Sequence, residues 1–263
     1  MELAGWAQVC LWMVGFSRLA EVLNEGRDPH TELAARLARI TVAEAYVRLK
    51  NGDKEFKGRY RQLAKISNFG FMGGAGPAKI VLMARKQYGV PLTLEEAKAL
   101  REAWLQMWPE ARLYFNWVNR QLNQNGTGER DDRRVAVEQF KSGRVRGGTY
   151  YTQLCNTLFQ GFCADIFGVA AWQITREMYV DRDSPLFDSR MVNAIHDEVL
   201  SEVPVACAHE AAHRQAEILV DVAKQWGPDV RWACEPALME RWYKEAEPVY
   251  RDGRLVPWVP LVT

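Results

Sequence analysis

Through residue 125 the apolar positions recur at helical spacing, and alternating or β-branched runs appear only beyond residue 135. Residues 3–16 are apolar, broken by Gln8, and predict a buried helix that runs to about residue 23 with no cap at its start. Asp28-Pro29 is an N-cap followed by an N1 proline, which places His30 in the first turn of the next helix. Thr41 and Glu44 predict a capping box for a helix to about Lys50, ended by Asn51-Gly52. A longer helix is expected over about 54–74, another over about 94–107 behind a Thr93/Glu96 box, and a third opening with Pro109 at N1. Trp104, Trp108, Phe115 and Trp117 have the spacing of core. Residues 125–148 are rich in loop formers and hold a predicted hairpin (135–140 with 144–146). A long helix over about 149–178 follows. Strands at 186–195 and 199–203, a helix at 207–226 and a closing strand at 230–234 come next, then a packed, extended Trp- and Pro-rich tail. The class is α+β, mostly helical with a small antiparallel sheet.

Composition narrows this little. Charged residues at 25% and apolar ones at 48% are ordinary globular values, and a net charge of +1 gives no global basic footprint. Any nucleic-acid contact is therefore local or shared with another chain. Glu2, the lack of a basic n-region and Gln8 argue against a signal peptide. The run at 3–16 is too short for a membrane helix, and no later segment is expected to be membrane-like. Cys10, Cys155, Cys163, Cys207 and Cys234 are odd in number and form no C-x-x-C pair. They read as reduced, mostly buried thiols of a cytoplasmic protein.

The chemistry concentrates in residues 59–76. Arg61, Lys65 and Phe69 stand at i, i+4, i+8, and a helix at about 100° per residue lines them up in one short row. Two cations and then an aromatic ring suit a ligand with phosphates at one end and a flat base at the other. Gly70 stands where a helix prefers alanine, so something approaches the backbone there. Gly73-Gly74 and Gly76-Pro77 stop the helix. The plainer reading is an amphipathic helix with a solvated basic edge and Phe69 in a core.

Three further groups carry chemistry. His30, at a helix N-terminus, suits a phosphate contact, with an exposed surface histidine as the alternative. Asn156 and Gln160 lie on one helical face, where their amides suit minor-groove acceptors. His196-Asp197-Glu198 falls between two strands, and adjacent carboxylates at a turn suit a hard cation such as Mg²⁺ or simply an acidic surface turn. Arg133, Arg134, Arg144 and Arg146 suit either a nucleic-acid backbone or a self-paired charge patch with 129–132.

The run Arg61, Lys65, Asn68, Phe69, Gly70 and Gly74 resembles the fingers-helix motif of family A DNA polymerases, R-x-x-x-K-x-x-N-F-G-x-x-Y-G, with Gly73 where the family usually has Tyr. Two more segments resemble that family in the same order. Asn156, Gln160, Gly161, Ala164 and Asp165 match N-x-x-x-Q-G-x-x-A-D, with Thr152 where Arg is frequent, and His196-Asp197-Glu198 matches the palm motif V-H-D-E. Residues 1–3 and 26–31 are similar to the end of the first palm motif and to G-x-D-x-H-T. The resemblance implies templated addition of deoxynucleotides to a primer 3′-OH with two Mg²⁺ ions.

It assigns Arg61, Lys65 and His30 to the triphosphate, Phe69 to the base and sugar, and Glu2 to the nucleotide sugar. Phe69, with no hydroxyl, implies discrimination against nucleotides that lack a 3′-OH. Gly70, Gly73, Gly74, Thr152, Asn156 and Gln160 are assigned to primer–template, with Thr152 implying a weaker or different contact. Asp197 is assigned to metal, Glu198 to its support, and His196 to the primer end. In this register the other metal-binding aspartate falls before residue 1. The expectation is thus the C-terminal part of a split or truncated enzyme, of phage type and so in a host cytoplasm, completed by a second polypeptide carrying thumb and upstream Asp. Expected divisions are 1–28 as palm-to-fingers helix, 29–125 as fingers and 126–263 as C-terminal palm, with no thumb or exonuclease region. Alternatives are an inactive remnant that binds primer–template or a partner, a metal phosphohydrolase using His196-Asp197, and a purely structural helical protein.

Overall fold

The computed structural model describes residues 1–129 and 132–260. Its helices are α1 (Glu2–Val14), α2 (Arg18–Asn24), α3 (Pro29–Ala38), α4 (Val42–Lys50), α5 (Gln62–Met72), α6 (Pro77–Tyr88), α7 (Leu94–Met107), α8 (Glu110–Asn125), α9 (Tyr151–Tyr179) and α10 (Ala208–Trp226). Its strands are β1 (Val135–Glu138), β2 (Val145–Thr149), β3 (Arg190–Ile195), β4 (Glu198–Glu202), β5 (Leu238–Met239), β6 (Val249–Arg251) and β7 (Arg254–Trp258). The α+β expectation holds. Pairing is antiparallel in β1–β2, β3–β4 and β6–β7, and parallel in β5–β7.

The chain divides into two compact units. One comprises Met1–Cys163 with Asp229–Arg231, and the other Ala164–Pro228 with residues 232–260. The first is built on aromatic packing: Trp6 lies 6.1 Å from Trp104 and 5.7 Å from Tyr114, and Phe71 lies 5.7 Å from Trp104, by ring centroids. The Tyr114 hydroxyl donates to the Cys155 carbonyl at 2.5 Å. Trp117, expected in this core, is only half-buried beside Met13, Val14 and Leu113.

The expected first helix is two. Gly15, at φ 83°, closes α1 in the left-handed conformation, which glycine adopts without a Cβ clash. The Ser17 side chain then caps α2. Glu110 secures the break: its Oε1 accepts from Ser17 Oγ at 2.8 Å and from Leu19 N at 2.9 Å. Burial raises the Glu110 pKa against the lowering effect of those hydrogen bonds.

The Thr93/Glu96 box forms fully on α7. Thr41 caps α4, but Glu44 turns instead to Arg48 at 2.7 Å, one turn on, so only half of that box exists. Pro109 is at the N-cap of α8, one position before N1. Helix 54–74 opens with a π-helical stretch, Phe56–Arg61, ahead of α5.

Residues 230–234 are not a strand. Their neighbourhood satisfies its backbone through side-chain amides: Asp229 N donates to Gln8 Oε1 (3.0 Å), Asn24 Nδ2 to Asp229 O (2.9 Å), and Arg231 N to Asn24 Oδ1 (2.6 Å). Contrary to the expectation that no later segment is membrane-like, α9 is long and apolar enough to cross a bilayer by length and composition. Half of its most apolar window is buried inside the protein, as in a core helix.

In the second unit, α10 grips β4. Gln215 Nε2 donates to Val199 O at 3.1 Å and Ser201 Oγ to Gln215 Oε1 at 2.6 Å. Arg214 clamps Glu177 in two bonds, 2.6 and 2.9 Å. The tail forms the β5-β7-β6 sheet.

Candidate functional site

On α5 the basic row is real and faces outward. Ile66, Asn68, Gly70, Phe71 and Met72 are buried, whereas Phe69 is 39% exposed, which disposes of the reading that puts its ring in a core. The π-helical stretch ends at Arg61, so the ordinary helical pitch from Gln62 onward carries Lys65 and Phe69 into line with it.

His30 joins this face. The Asp28 side chain accepts from His30 N at 3.0 Å and from Thr31 Oγ1 at 2.6 Å, capping α3. Asp28 also pairs with Arg61 at 2.9 Å, so the cap of α3 orients the first cation of the row. Burial raises the Asp28 pKa, but the bonds from Thr31 and Arg61 outweigh it and the net shift is downward. Lys65 is shifted down by burial and by Arg61, against the pull of Asp28. The His30 and Phe69 rings lie 5.2 Å apart.

His30 is buried, not exposed, and its pKa falls to about 4. Burial is the main cause, Asp28 opposes it, and Arg61 and Lys65 push further down. Above about pH 6.5 the ring is neutral in both folded and unfolded chains and the shift has no effect. Between 6.5 and 4 only the unfolded chain takes the proton, so stability falls with pH, and below 4 the loss levels off. Chemical denaturation should show a loss of about 2 kcal/mol between pH 7 and 4.5 in wild type relative to His30→Gln. Comparing the two chains cancels Glu110, whose raised pKa acts in the opposite direction. Equal pH dependence in the two proteins would refute the assignment.

The glycines of the row have distinct causes. A Cβ on Gly70 would lie 2.3 Å from Ile80 Cδ1, so the group that approaches its backbone is a side chain of α6. Gly74 has φ 79°, and its Cβ would meet Cys155 Sγ at 2.9 Å. A Cβ on Gly73 would lie 2.6 Å from Asn156 Oδ1, so the side chain of Asn156 occupies the space a tyrosine would start to fill.

Asn156 is correspondingly committed. Its Nδ2 donates to Gly73 O (3.0 Å) and Thr152 O (2.7 Å). Both acceptors are main-chain carbonyls, in a structure that holds no nucleic acid to offer minor-groove ones. Gln160 donates to Glu2 Oε1 at 3.0 Å, joining two of the expected site residues. The arginines of the hairpin are occupied as well: Arg134 by Asp132, Arg133 by Asn123, Arg144 by Gly161 O and Arg146 by Thr157. Arg130 and Asp131 of that charge cluster lie outside the described residues.

In the second unit, β3 and β4 pair through Ile195 and Glu198, leaving His196 and Asp197 as a two-residue turn. Glu198 is the first residue of β4, not part of the turn. His196 has φ 54°, a left-handed conformation unusual for a non-glycine residue, and such strain clusters at functional sites. Trp242 Nε1 donates to Glu198 Oε1 at 3.4 Å. Among the described residues no group of three or more His, Cys, Asp and Glu side chains is placed to hold a metal.

Sequence reasoning missed Asn68, whose only signal was its place in the motif, and it passed over His209-Glu210-Ala211-Ala212-His213. That run has the H-E-x-x-H spacing of helical zinc sites. His209 Nδ1 accepts from Leu255 N at 2.8 Å, which puts its ring proton on Nε2, and Glu210 pairs with Arg254 at 2.7 Å. Neither is poised for zinc chemistry.

The profile of DNA polymerase family A matches residues 9–244, and the chain belongs to that family. DNA polymerase I of Aquifex aeolicus is 26% identical over 231 residues, covering 86% of this chain and 36% of its own. The thermostable DNA polymerase I of Thermus filiformis is 27% identical over 218 residues, covering 81% of this chain and 23% of its own. The chain thus spans about a third or less of these relatives. The POL domain of Pol1 from M. smegmatis, solved in complex with DNA primer-template and dNTP, shares the fold at TM-score 0.61 and 21% identity over 84% of this chain and 35% of that one.

Proposed function

We propose that the chain supplies the nucleotide-binding fingers and the metal-anchoring hairpin of a DNA polymerase that extends a primer 3′-OH on a template. The carrying observation is the outward row Arg61–Lys65–Phe69 with His30 beside it, in a chain of family A. Arg61 and Lys65 neutralise the triphosphate, with Arg61 held in place by Asp28. Phe69 offers its exposed face to the base and sugar. Glu2 lies toward the nucleotide sugar, while Gln160, Gly73 and Gly74 line the path of the primer–template. On this reading residues 29–125 are the fingers and 126–263 the C-terminal palm.

The carboxylates of Asp197 and Glu198 are hard oxygen donors suited to Mg²⁺, with Asp197 the ligand and Glu198 its support. When bound, the metal pair would favour the ionised 3′-oxygen and neutralise the departing pyrophosphate. His196 orients the primer end. The second bridging carboxylate and a thumb come, in this proposal, from outside residues 1–263, in the same polypeptide or in another.

Two measurements test the reading. Titration with a fluorescent dNTP should show Lys65→Ala weakening binding about tenfold, the loss of one charge-assisted contact. Arg61→Ala should cost more, because it also bares the Asp28 carboxylate beside the phosphates. Primer extension should appear when the upstream aspartate and thumb are supplied, joined to this chain or added in trans. Binding of primer–template without extension under that condition would favour a non-catalytic binding module, and unaltered dNTP affinity in both variants would remove the fingers assignment.

A further inference from the structure

We propose that Asn68 is a positioning residue that locks the His30 imidazole in its neutral Nε2–H tautomer, so that the ring presents a hydrogen-bond donor, not a charge, to an anionic ligand at the start of α3. That the ligand is the nucleotide triphosphate rests on the proposed function. The lock itself does not.

Donors and acceptors around the Asn68 amide fix both its orientation and the tautomer of the ring. Trp104 Nε1 and Trp108 Nε1 both point at Asn68 Oδ1, each at 3.0 Å. An indole N–H only donates, so the amide atom facing the two rings must be the oxygen. The amide is thereby fixed, and its NH₂ faces His30 Nδ1 at 3.0 Å, with Pro29 O at 3.4 Å. An NH₂ group only donates, so Nδ1 must accept and carries no proton. The ring proton is left on Nε2.

The surroundings reinforce the neutral state. The charged groups around the ring are Asp28 on its own helix and Arg61 and Lys65 on the facing segment, with the neutral Phe69 ring beside it. Two cations outnumber one anion, and a charged ring would also confront the Asn68 amide hydrogens. All four members of the relay, Trp104, Trp108, Asn68 and His30, are buried, Asn68 being 1% exposed, so water does not compete for the bonds. A permanently charged imidazolium would bind any anion. A locked neutral donor instead rewards an acceptor atom in one direction, beside cations that already supply the charge.

The test is ¹⁵N NMR of the full chain with labelled histidines, the His30 ring being assigned by its disappearance in His30→Gln. At pH 7 and at pH 5 wild type should show an unprotonated-type Nδ1 and a protonated-type Nε2. Asn68→Asp keeps an acceptor for both indoles but turns a carboxylate oxygen toward Nδ1, so Nδ1 should become protonated and the ring should titrate at higher pH. A protonated Nδ1 in wild type would overturn the lock, as would identical ring shifts in Asn68→Asp, and the wild-type spectrum decides even if the variant folds poorly. Titration of a dNTP between pH 5.5 and 7.5 separates the two readings. Altered ring shifts with unaltered dNTP affinity would uphold the lock and remove the triphosphate contact, whereas a newly pH-dependent affinity in Asn68→Asp supports both.

Discussion

Replacing Asp197 by alanine is expected to lower primer extension about a thousandfold or more in any preparation of this chain that extends primers. A thousandfold corresponds to about 4 kcal/mol of transition-state stabilisation, the scale of loss that follows if Asp197 holds metal as proposed. The fold should survive, because Asp197 is not the strained residue. The positive φ of 54° belongs to His196, and the hairpin is held by the β3–β4 register and by Gln215 and Ser201 bonding β4 to α10. Circular dichroism and denaturation midpoint should therefore match wild type while extension vanishes. Asp197→Asn should behave like the alanine variant, since the amide keeps the shape and loses the charge. A loss of less than tenfold in either protein would take Asp197 out of the metal-binding role.

The parts of this molecule legible in the sequence are those fixed by neighbours a turn away. Asp28 capping α3, the Thr93/Glu96 box, the existence of a turn between β3 and β4 (one residue shorter than expected) and the i, i+4, i+8 row all depend on residues within a few positions of one another. The parts that were not legible depend on distant ones. Residues 230–234 read as a strand, yet at Asp229 and Arg231 the backbone bonds go to the side chains of Gln8 and Asn24, more than 200 positions away. Gly70 announced a close approach without revealing that Ile80 makes it. Asn156 sits at the expected place in its motif, but that its amide bonds the Gly73 carbonyl, in the space a Cβ at position 73 would need, is a contact that neither segment shows alone. The π-helical stretch at Phe56–Arg61 likewise leaves no mark in composition.

Asn68 is a buried side chain of this kind, with three side-chain partners 36 or more positions away. Asn68→Leu is nearly the same size, so it opens little cavity and its cost is almost wholly polar. It strands the Trp104 and Trp108 indole hydrogens and the His30 Nδ1 lone pair, three groups that water does not reach. An unsatisfied buried polar group costs about 1–3 kcal/mol, and because the three share one partner their losses do not simply add. The expected loss in urea denaturation is about 4 kcal/mol, a large share of the roughly 5–15 kcal/mol that holds a typical domain together. If Asn68→Leu costs under 1 kcal/mol, then packing and not hydrogen bonding keeps asparagine at this position. The indole-to-amide relay would then be incidental to the placement of His30.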